Sequence, residues 1–189
     1  MVKAVIFDAF GTLIRPSGVV SPYQILAGGR LRDWRDRFLK ENLSLEGFAR
    51  ELGAADRLPI AQQAFFDEMD LLQAYPEAPA VISALREEGI KTAICSNLAQ
   101  PYGRVVKTLF PSVDGYALSY ELGCMKPEPA IYKHALDEVG CQVNEAVFVG
   151  DSRRCDYLGP TALGIGARHL KRLDGMDLRS ALVDLLAAD

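Results

Sequence analysis

Short apolar runs alternate with longer amphipathic stretches along most of this chain. Runs of aliphatic and β-branched residues at 2–7, 90–95, 115–119, 146–149 and 163–167 have the length and composition of buried strands. Apolar residues at helical spacing predict helices over 78–88, 129–139 and 156–163, and a glycine follows each of the first two. Strands that alternate with helices predict right-handed βαβ units and therefore an α/β fold with a parallel sheet.

Residues 15–75 interrupt this alternation. They carry amphipathic helical patterns over 31–40, 44–53 and 60–73 and no convincing strand. We therefore expect a small α-helical insertion directly after the first strand. A segment inserted there is well placed to cover a site at the end of that strand.

Polar side chains follow several of the predicted strands where each strand ends. Asp8 follows the first, Ser96 and Asn97 follow the second, and Asp151 follows the fourth, while Lys126 lies after the third. Ligands of open parallel sheets bind outside the carboxyl ends of the strands, so these groups should share one edge. Asp8 and Asp151 would repel each other there unless a cation lay between them, and Mg²⁺ is the hard divalent ion that oxygen ligands suit.

Composition and charge limit the classes of partner and the cellular location that we expect. The net charge of −4 gives no reason to expect nucleic acid or an anionic membrane surface as a partner. No apolar run approaches the ~20 residues of a transmembrane helix, and the first residues lack the long apolar stretch of a secretory signal. The four cysteines form no CxxC pair, so we expect reduced thiols in a cytoplasmic protein.

Basic residues cluster in the second quarter of the chain. They alternate with acidic residues, so local ion pairs are expected, although an arginine here would also suit an anionic substrate. The basic members are Arg30, Arg32, Arg35, Arg37 and Lys40.

Four short motifs carry a family resemblance. They are FDAFGTL at 7–13, Ser96, Lys126-Pro127 and GDSRRCD at 150–156. Their order and spacing resemble those of the haloacid dehalogenase-like hydrolase superfamily over nearly the whole chain. The resemblance implies a Rossmann-like core of residues 1–14 and 76–189, with helices on both faces of the sheet. It also implies a short helical cap inserted after the first strand; residues 15–75 are called the cap segment below.

The resemblance also implies roles for residues. Asp8 is the nucleophile and forms a covalent intermediate, and Lys126 holds it and offsets negative charge. Thr12 and Ser96 hydrogen-bond the transferred group, and we add Asn97 and Phe10 as substrate contacts.

A metal site is implied by the same motifs. Mg²⁺ is bound by Asp8, Asp151 and the main-chain carbonyl of Phe10, and Asp156 supports either the metal site or Lys126. Gly11 permits the tight turn that exposes the nucleophile.

One position departs from the phosphatase pattern. Family phosphatases carry a second Asp two residues after the nucleophile as general acid and base, and this chain has Phe10 there. An aromatic residue resembles the dehalogenase branch, whose first motif typically has the sequence DAYGT, because a halide leaves without needing a proton. The fourth motif, however, is the metal-binding GDSxxxD form that dehalogenases typically lack.

We interpret the chain as a hydrolase, favouring a Mg²⁺-dependent phosphatase that acts through an aspartyl-phosphate on Asp8. The substrate expected is a small, anionic phosphorylated metabolite. Loss of a general acid costs about 10²–10⁴ in rate, which an enzyme survives when the leaving group is good. The alternatives are a 2-haloacid dehalogenase acting through an aspartyl ester and a catalytically weak binding protein. Monomer and homodimer both stay open.

Overall fold

A computed structural model of the protein describes residues 1–186, and a parallel sheet lies at its centre. In this part of the chain the strands are β1 (Ala4–Phe7), β2 (Lys91–Ser96), β3 (Gly115–Leu118), β4 (Ala146–Gly150) and β5 (Gly166–His169). They pair in the order β3-β2-β1-β4-β5, and all the pairs are parallel. The α/β prediction is confirmed. Residues 187–189 of the predicted core lie outside the described residues.

Helices cover both faces of the sheet, as predicted. In β1, Ala4 and Ile6 face one buried cluster while Val5 and Phe7 face the other, and all four are fully buried. A strand buried on both faces cannot alternate apolar with polar residues, which explains the continuous apolar run. The helices on the core are α5 (Ala78–Glu87), α6 (Gln100–Leu109), α7 (Ser119–Leu122), α8 (Pro129–Val139), α9 (Gly159–Thr161) and α10 (Leu178–Ala181).

The cap segment is helical in the structure. It contains α1 (Pro22–Ala27), α2 (Leu31–Lys40), α3 (Leu45–Glu51) and α4 (Leu58–Leu71). The three predicted helices are confirmed, and α1 was missed because it is only six residues long and follows a run without helical periodicity. None of the helices described here is both long and apolar enough to cross a membrane.

The two linkers of the cap segment pair with each other. Ile14 and Ala74 form an antiparallel bridge, Arg15 N–H donates to the Gln73 carbonyl at 2.9 Å, and Tyr75 N–H donates to the Leu13 carbonyl at 2.8 Å. The chain therefore leaves the sheet and returns to it at one place, which we call the hinge. The exact division into core and cap at 14/15 and 75/76 stays a prediction.

Two predicted elements lie elsewhere than expected. The fifth strand was placed at 163–167, but Gly164 has a φ of +83° and closes a turn, so β5 begins only at Gly166. The helix expected at 156–163 is a π-helix at Arg153–Leu158 followed by α9, because Ser152 caps the turn three residues earlier by accepting the Cys155 N–H. The helix α6 was not predicted, since Pro101 and Gly103 interrupt its pattern.

Candidate active site

Asp8 lies at the carboxyl end of the central strand, almost wholly buried. Its main-chain N–H donates to the Val149 carbonyl at 2.9 Å, which continues the β1–β4 pairing to the sheet edge. Its carboxylate accepts from Lys126 at 2.8 Å, from the Ser96 hydroxyl at 3.2 Å and from the Thr12 hydroxyl at 3.4 Å. The structure therefore brings together all four residues that the sequence assigned to catalysis, with Asp8 at the centre.

Lys126 bridges two carboxylates. Its ammonium lies 2.8 Å from an Asp8 oxygen and 2.7 Å from an Asp156 oxygen, and its side chain is 2% exposed. Burial alone would lower the pKa of Lys126, but the charges of Asp8 and Asp156 outweigh it and hold the pKa above its ordinary value. Lys126 is thus a fixed positive charge beside the predicted nucleophile.

Asn97 fixes the main chain of Lys126. Its amide donates to the Lys126 carbonyl at 2.8 Å and accepts the Lys126 N–H at 2.7 Å. Ala99, not Asn97, occupies the N-cap of α6, so the Asn97 side chain does not cap that helix. Both polar atoms of the side chain already have partners, so Asn97 acts on the site mainly by positioning Lys126.

Asp156 is buried within the π-helix and both of its oxygens are occupied. One accepts from Lys126 and the other accepts the Ser152 N–H at 2.9 Å. Burial raises the pKa of Asp156 to about 6, and the Asp8 charge adds to the rise. A Cβ at Gly150 would lie 2.4 Å from the Asp156 carboxylate, so glycine is needed there. These contacts place Asp156 as a support for Lys126.

Asp151 completes a cluster of three carboxylates. Oxygen atoms of Asp8, Asp151 and Asp156 lie within 4.8 Å of one another. Loss of water around the carboxyl group raises the pKa of Asp151, and the charge of Asp8 adds to the rise. Gly11 lets this approach happen: it has a φ of +83°, and a Cβ there would lie 2.2 Å from an Asp151 oxygen.

The donor set of this cluster fits a hard divalent cation. Lys126 supplies one positive charge against three carboxylates, which leaves a net charge of −2 when all are ionised. Asp156 is 1% exposed and both of its oxygens make short hydrogen bonds. Among the described residues, one Asp8 oxygen has only the Thr12 hydroxyl at 3.4 Å, and Asp151 is exposed, so Asp8 and Asp151 are the members best able to bind an ion. No hydrogen bond within residues 1–186 ends on the main-chain carbonyl of Phe10. These two carboxylates and that carbonyl are the oxygen ligands typical of Mg²⁺.

A cavity of about 310 Å³ opens between the cap segment and the core, and Phe10 and Asn97 form part of its wall on the core side. Aromatic and aliphatic side chains form most of its wall, and Phe10 packs edge-on against Tyr102 with ring centroids 5.7 Å apart. Arg35 of α2 brings a positive charge to the wall. The nearby Arg37 is instead paired with Glu41 and Glu51, as expected for the basic residues of the cap segment. The cavity is lined by Phe10, Ser21, Tyr23, Leu31, Arg35, Phe38, Leu39, Glu68, Asn97, Leu98, Ala99 and Tyr102.

Sequence reasoning missed the residues that join the cap segment to the core. Tyr102 of α6 donates its hydroxyl to Glu68 of α4, and within the cap segment Ser17 donates to the same carboxylate at 2.9 Å. Lys40 and Glu128 form an ion pair at 2.6 Å. These pairs connect positions far apart in the chain that follow no motif, so the sequence alone carries no signal for them.

His169 and Arg172 also reach the site from the chain after β4. The Nε2 atom of His169 lies 2.8 Å from the Asp151 carbonyl oxygen. Arg172 donates to the main-chain carbonyls of Gly11 and Thr12, three and four residues after the predicted nucleophile. Neither residue was among those that the sequence assigned to the site.

Comparison with protein families decides the identity. The family model for a haloacid dehalogenase-like hydrolase matches residues 2–164. The chain belongs to the haloacid dehalogenase-like hydrolases. The part of the chain that matches the family model includes the cap segment, the four motifs and the strands β1 to β4. It therefore contains every residue assigned to the site above except His169 and Arg172.

Characterised members similar to this chain fall in both branches of the family. A phosphoserine phosphatase of Thermus thermophilus is 31% identical over 137 residues, which is 71% of this chain and 53% of that protein. The (S)-2-haloacid dehalogenase 1 of a Pseudomonas species is 27% identical over 197 residues, covering 92% of this chain and 86% of that protein. The chain thus spans about half the length of the phosphatase and most of the dehalogenase.

Solved structures of family members share the fold. A dehalogenase structure superimposes with a TM-score of 0.69 at 21% identity, covering 100% of this chain and 98% of that one. A phosphatase from Thermococcus onnurineus gives a TM-score of 0.61 at 24% identity, covering 90% and 86%. The fold is therefore common to both branches, and the choice of chemistry depends on side chains in the site.

Proposed function

We propose that this hydrolase is a Mg²⁺-dependent phosphatase that acts through an aspartyl-phosphate on Asp8. The observation that carries the proposal is the carboxylate cluster of Asp8, Asp151 and Asp156, with oxygens within 4.8 Å of one another. Like charges this close are costly unless a cation offsets them, and Lys126 offsets only one. Attack on a neutral carbon needs no such cluster, whereas transfer of an anionic phosphoryl group does need positive charge.

The chain's own groups account for the chemical steps. An Asp8 oxygen forms a bond to phosphorus as the bond from phosphorus to the ester oxygen breaks, and the leaving oxygen takes its proton from solvent. Water then attacks the phosphorus of the aspartyl-phosphate, which releases inorganic phosphate and restores the Asp8 carboxylate. Lys126 stays protonated throughout and stabilises the charge that develops. Mg²⁺, held by Asp8, Asp151 and the Phe10 carbonyl, would neutralise the charge of the phosphoryl oxygens.

The cavity between the cap segment and the core supports a small substrate with an apolar body. Its aromatic wall favours a hydrocarbon or ring, and its volume of about 310 Å³ suits a small metabolite rather than a polymer. Arg35, on the cap side, is suited to a carboxylate or a second phosphate. Several relatives act on small phosphorylated compounds by their names, among them glyceraldehyde 3-phosphate phosphatase of Methanopyrus kandleri.

Phe10 favours a second candidate, dehalogenation of a 2-haloacid. No carboxyl group occupies this position, so a leaving group that needs protonation gets no help from it. A halide needs none, and Asp8 would then form an ester to carbon as the halide departs. The dehalogenase relative from Pseudomonas covers most of this chain and supports this alternative.

A substrate panel tests the proposal and its competitors together. Alkyl, aryl and acyl phosphates and 2-haloacids are assayed with Mg²⁺ and with EDTA, and Asp8→Asn serves as the inactive control. Phosphate release that needs Mg²⁺ and Asp8 supports the phosphatase. Halide release that EDTA does not affect would overturn the phosphatase proposal and support the dehalogenase. A folded protein that turns over nothing but binds a phosphorylated ligand favours the binding protein.

A further inference from the structure

Arg172 lies in a short helical turn after β5 and reaches back to the loop that follows Asp8. Its Nε donates to the Gly11 carbonyl at 3.1 Å, and Nη2 donates to the Thr12 carbonyl. More than 150 residues of sequence separate the donor from these acceptors. The planar fork of a guanidinium holds two neighbouring carbonyls in a fixed relative orientation, which a lysine ammonium does not.

The same guanidinium also contacts the hinge. Its Nη1 donates to Glu77 at 2.8 Å, and its centre lies 3.4 Å from the centroid of the Tyr75 ring. The side chains of Arg172 and Glu77 are 15% and 16% exposed. Tyr75 belongs to the hinge itself, since its N–H donates to the Leu13 carbonyl. One side chain therefore contacts both the loop that follows Asp8 and the end of the cap segment, where the chain returns to the core.

The position of these contacts matters for the site. Gly11 separates the Phe10 carbonyl from the Thr12 hydroxyl that donates to Asp8, and its φ of +83° is a conformation with few local restraints. Fixing the carbonyls of Gly11 and Thr12 from outside limits the rotation of the peptide units on each side. A displacement of about 1 Å at a reacting group costs on the order of 10² in rate.

We propose that Arg172 is a positioning residue that orients the Asp8 loop and couples it to the hinge. The proposal takes from the proposed function only that Asp8 is the reacting carboxylate, and it holds for phosphoryl transfer and for dehalogenation alike. Arg172 touches no reacting atom. It acts through the main chain of Gly11 and Thr12.

Three variants test the role. Arg172→Met removes the fork and the charge, and Arg172→Lys keeps the charge without the fork. Arg168→Met is the matched control, because Arg168 of β5 pairs with Asp184 at 2.9 Å and lies away from the loop. Steady-state kinetics are measured on the best substrate of the panel, and hydrogen exchange is followed in peptides that cover residues 9–14.

We expect Arg172→Met to lower kcat about 10²-fold with KM changed less than about threefold. The amides of residues 9–14 should exchange faster in this variant than in the parent. They should not do so in Arg168→Met, even if the melting temperatures of the two variants fall by the same amount. Arg172→Lys should keep the fold and still lose about tenfold in kcat. This variant also serves as the test if Arg172→Met does not fold.

Some outcomes overturn the proposal. One is a kcat for Arg172→Lys equal to that of the parent, since charge alone would then suffice. Another is an equal loss of kcat in Arg168→Met, which would show a general effect of stability. If the parent turns over no substrate, the proposed function fails, and the exchange of the loop amides still decides the role of Arg172.

Discussion

The ring of Phe10 occupies the position where family phosphatases carry their general acid. It is partly buried and packs edge-on against Tyr102, 5.7 Å between centroids, at the wall of the cavity. The carboxylate cluster beside it favours phosphate chemistry, while the ring favours a leaving group that needs no proton. At the scale of single residues, we therefore expect the proposed phosphatase to act on phosphates with good leaving groups faster than on simple alkyl esters.

Restoring a carboxyl group at this position should extend the range of substrates. Phe10→Asp is expected to raise kcat/KM on alkyl phosphates by up to about 10²-fold, because the new acid can protonate the alkoxide. Aryl and acyl phosphates should gain little. Phe10→Asn is the control, since it removes the same ring and adds no acid. An equal gain in Phe10→Asn would show that the ring merely obstructs the site. A folded Phe10→Asp with no gain would show that the missing acid is not limiting.

Asp8→Asn should abolish hydrolysis of every substrate while the fold persists. The amide is a poor nucleophile, so kcat should fall by at least about 10³-fold. Circular dichroism checks the fold, and Asp137→Asn on the exposed face of α8 is a control that should keep full activity. Turnover within tenfold of the parent in Asp8→Asn would remove Asp8 from the role of nucleophile.

The sequence predicted which residues meet at the site but not what holds them. Ser96 ends a strand of the parallel sheet, and Asp8 and Asp151 directly follow two others, so their convergence could be inferred from periodicity alone. Arg172 and Tyr102 could not be inferred in this way, because their contacts join elements that are distant in sequence and carry no motif. Local pattern determines strand ends, whereas tertiary packing determines which distant side chain reaches them.

At the scale of elements, the turn after β1 restricts the choice of residue at Gly11 most closely. Gly11 has a positive φ, and its missing Cβ leaves the space that an Asp151 oxygen fills. The sequence predicted that Gly11 permits a tight turn. The close approach of Asp151, which comes from the turn after β4, appears only in the structure, because it depends on how β1 and β4 lie side by side.

Gly11→Ala should therefore cost both stability and activity. An alanine at positive φ costs about 1–2 kcal/mol, and the new Cβ would also push Asp151 away from Asp8. Gly18→Ala separates the two effects, because Gly18 has a similar φ of +74° with nothing within 4 Å of its Cβ position. Chemical denaturation and kcat are measured for both. The account of this turn fails if Gly11→Ala retains the kcat of Gly18→Ala.

At the scale of the molecule, the fold gathers negative charge at the edge of a buried sheet. The pKa values of Asp151 and Asp156 lie above their ordinary values, so the folded state binds these protons more tightly than the unfolded chain does. Stability from these two groups is consequently largest at acid pH and is lost as the pH rises through their folded pKa values, about 6 for Asp156. Above these pKa values the folded protein carries the cost of holding both carboxylates ionised with little water around them and close to the charge of Asp8.

A divalent cation should offset that cost, so Mg²⁺ is expected to stabilise the folded protein at neutral pH. With the ion at about ten times its dissociation constant, mass action gives about 1.4 kcal/mol, a rise in melting temperature of about 3–5 °C for a chain of this size. Asp151→Asn keeps the shape of the side chain and removes the ligand charge. This variant should melt at or above the parent temperature without Mg²⁺, because one repulsion is gone, and should show little shift with it.

Asp137→Asn should behave like the parent, which controls for charge alone. Melts with EDTA, with millimolar Mg²⁺ and with the same ionic strength of Na⁺ separate specific binding from screening. An equal shift in the parent and in Asp151→Asn would place the ion elsewhere, and no shift in the parent would favour the metal-free chemistry of a dehalogenase.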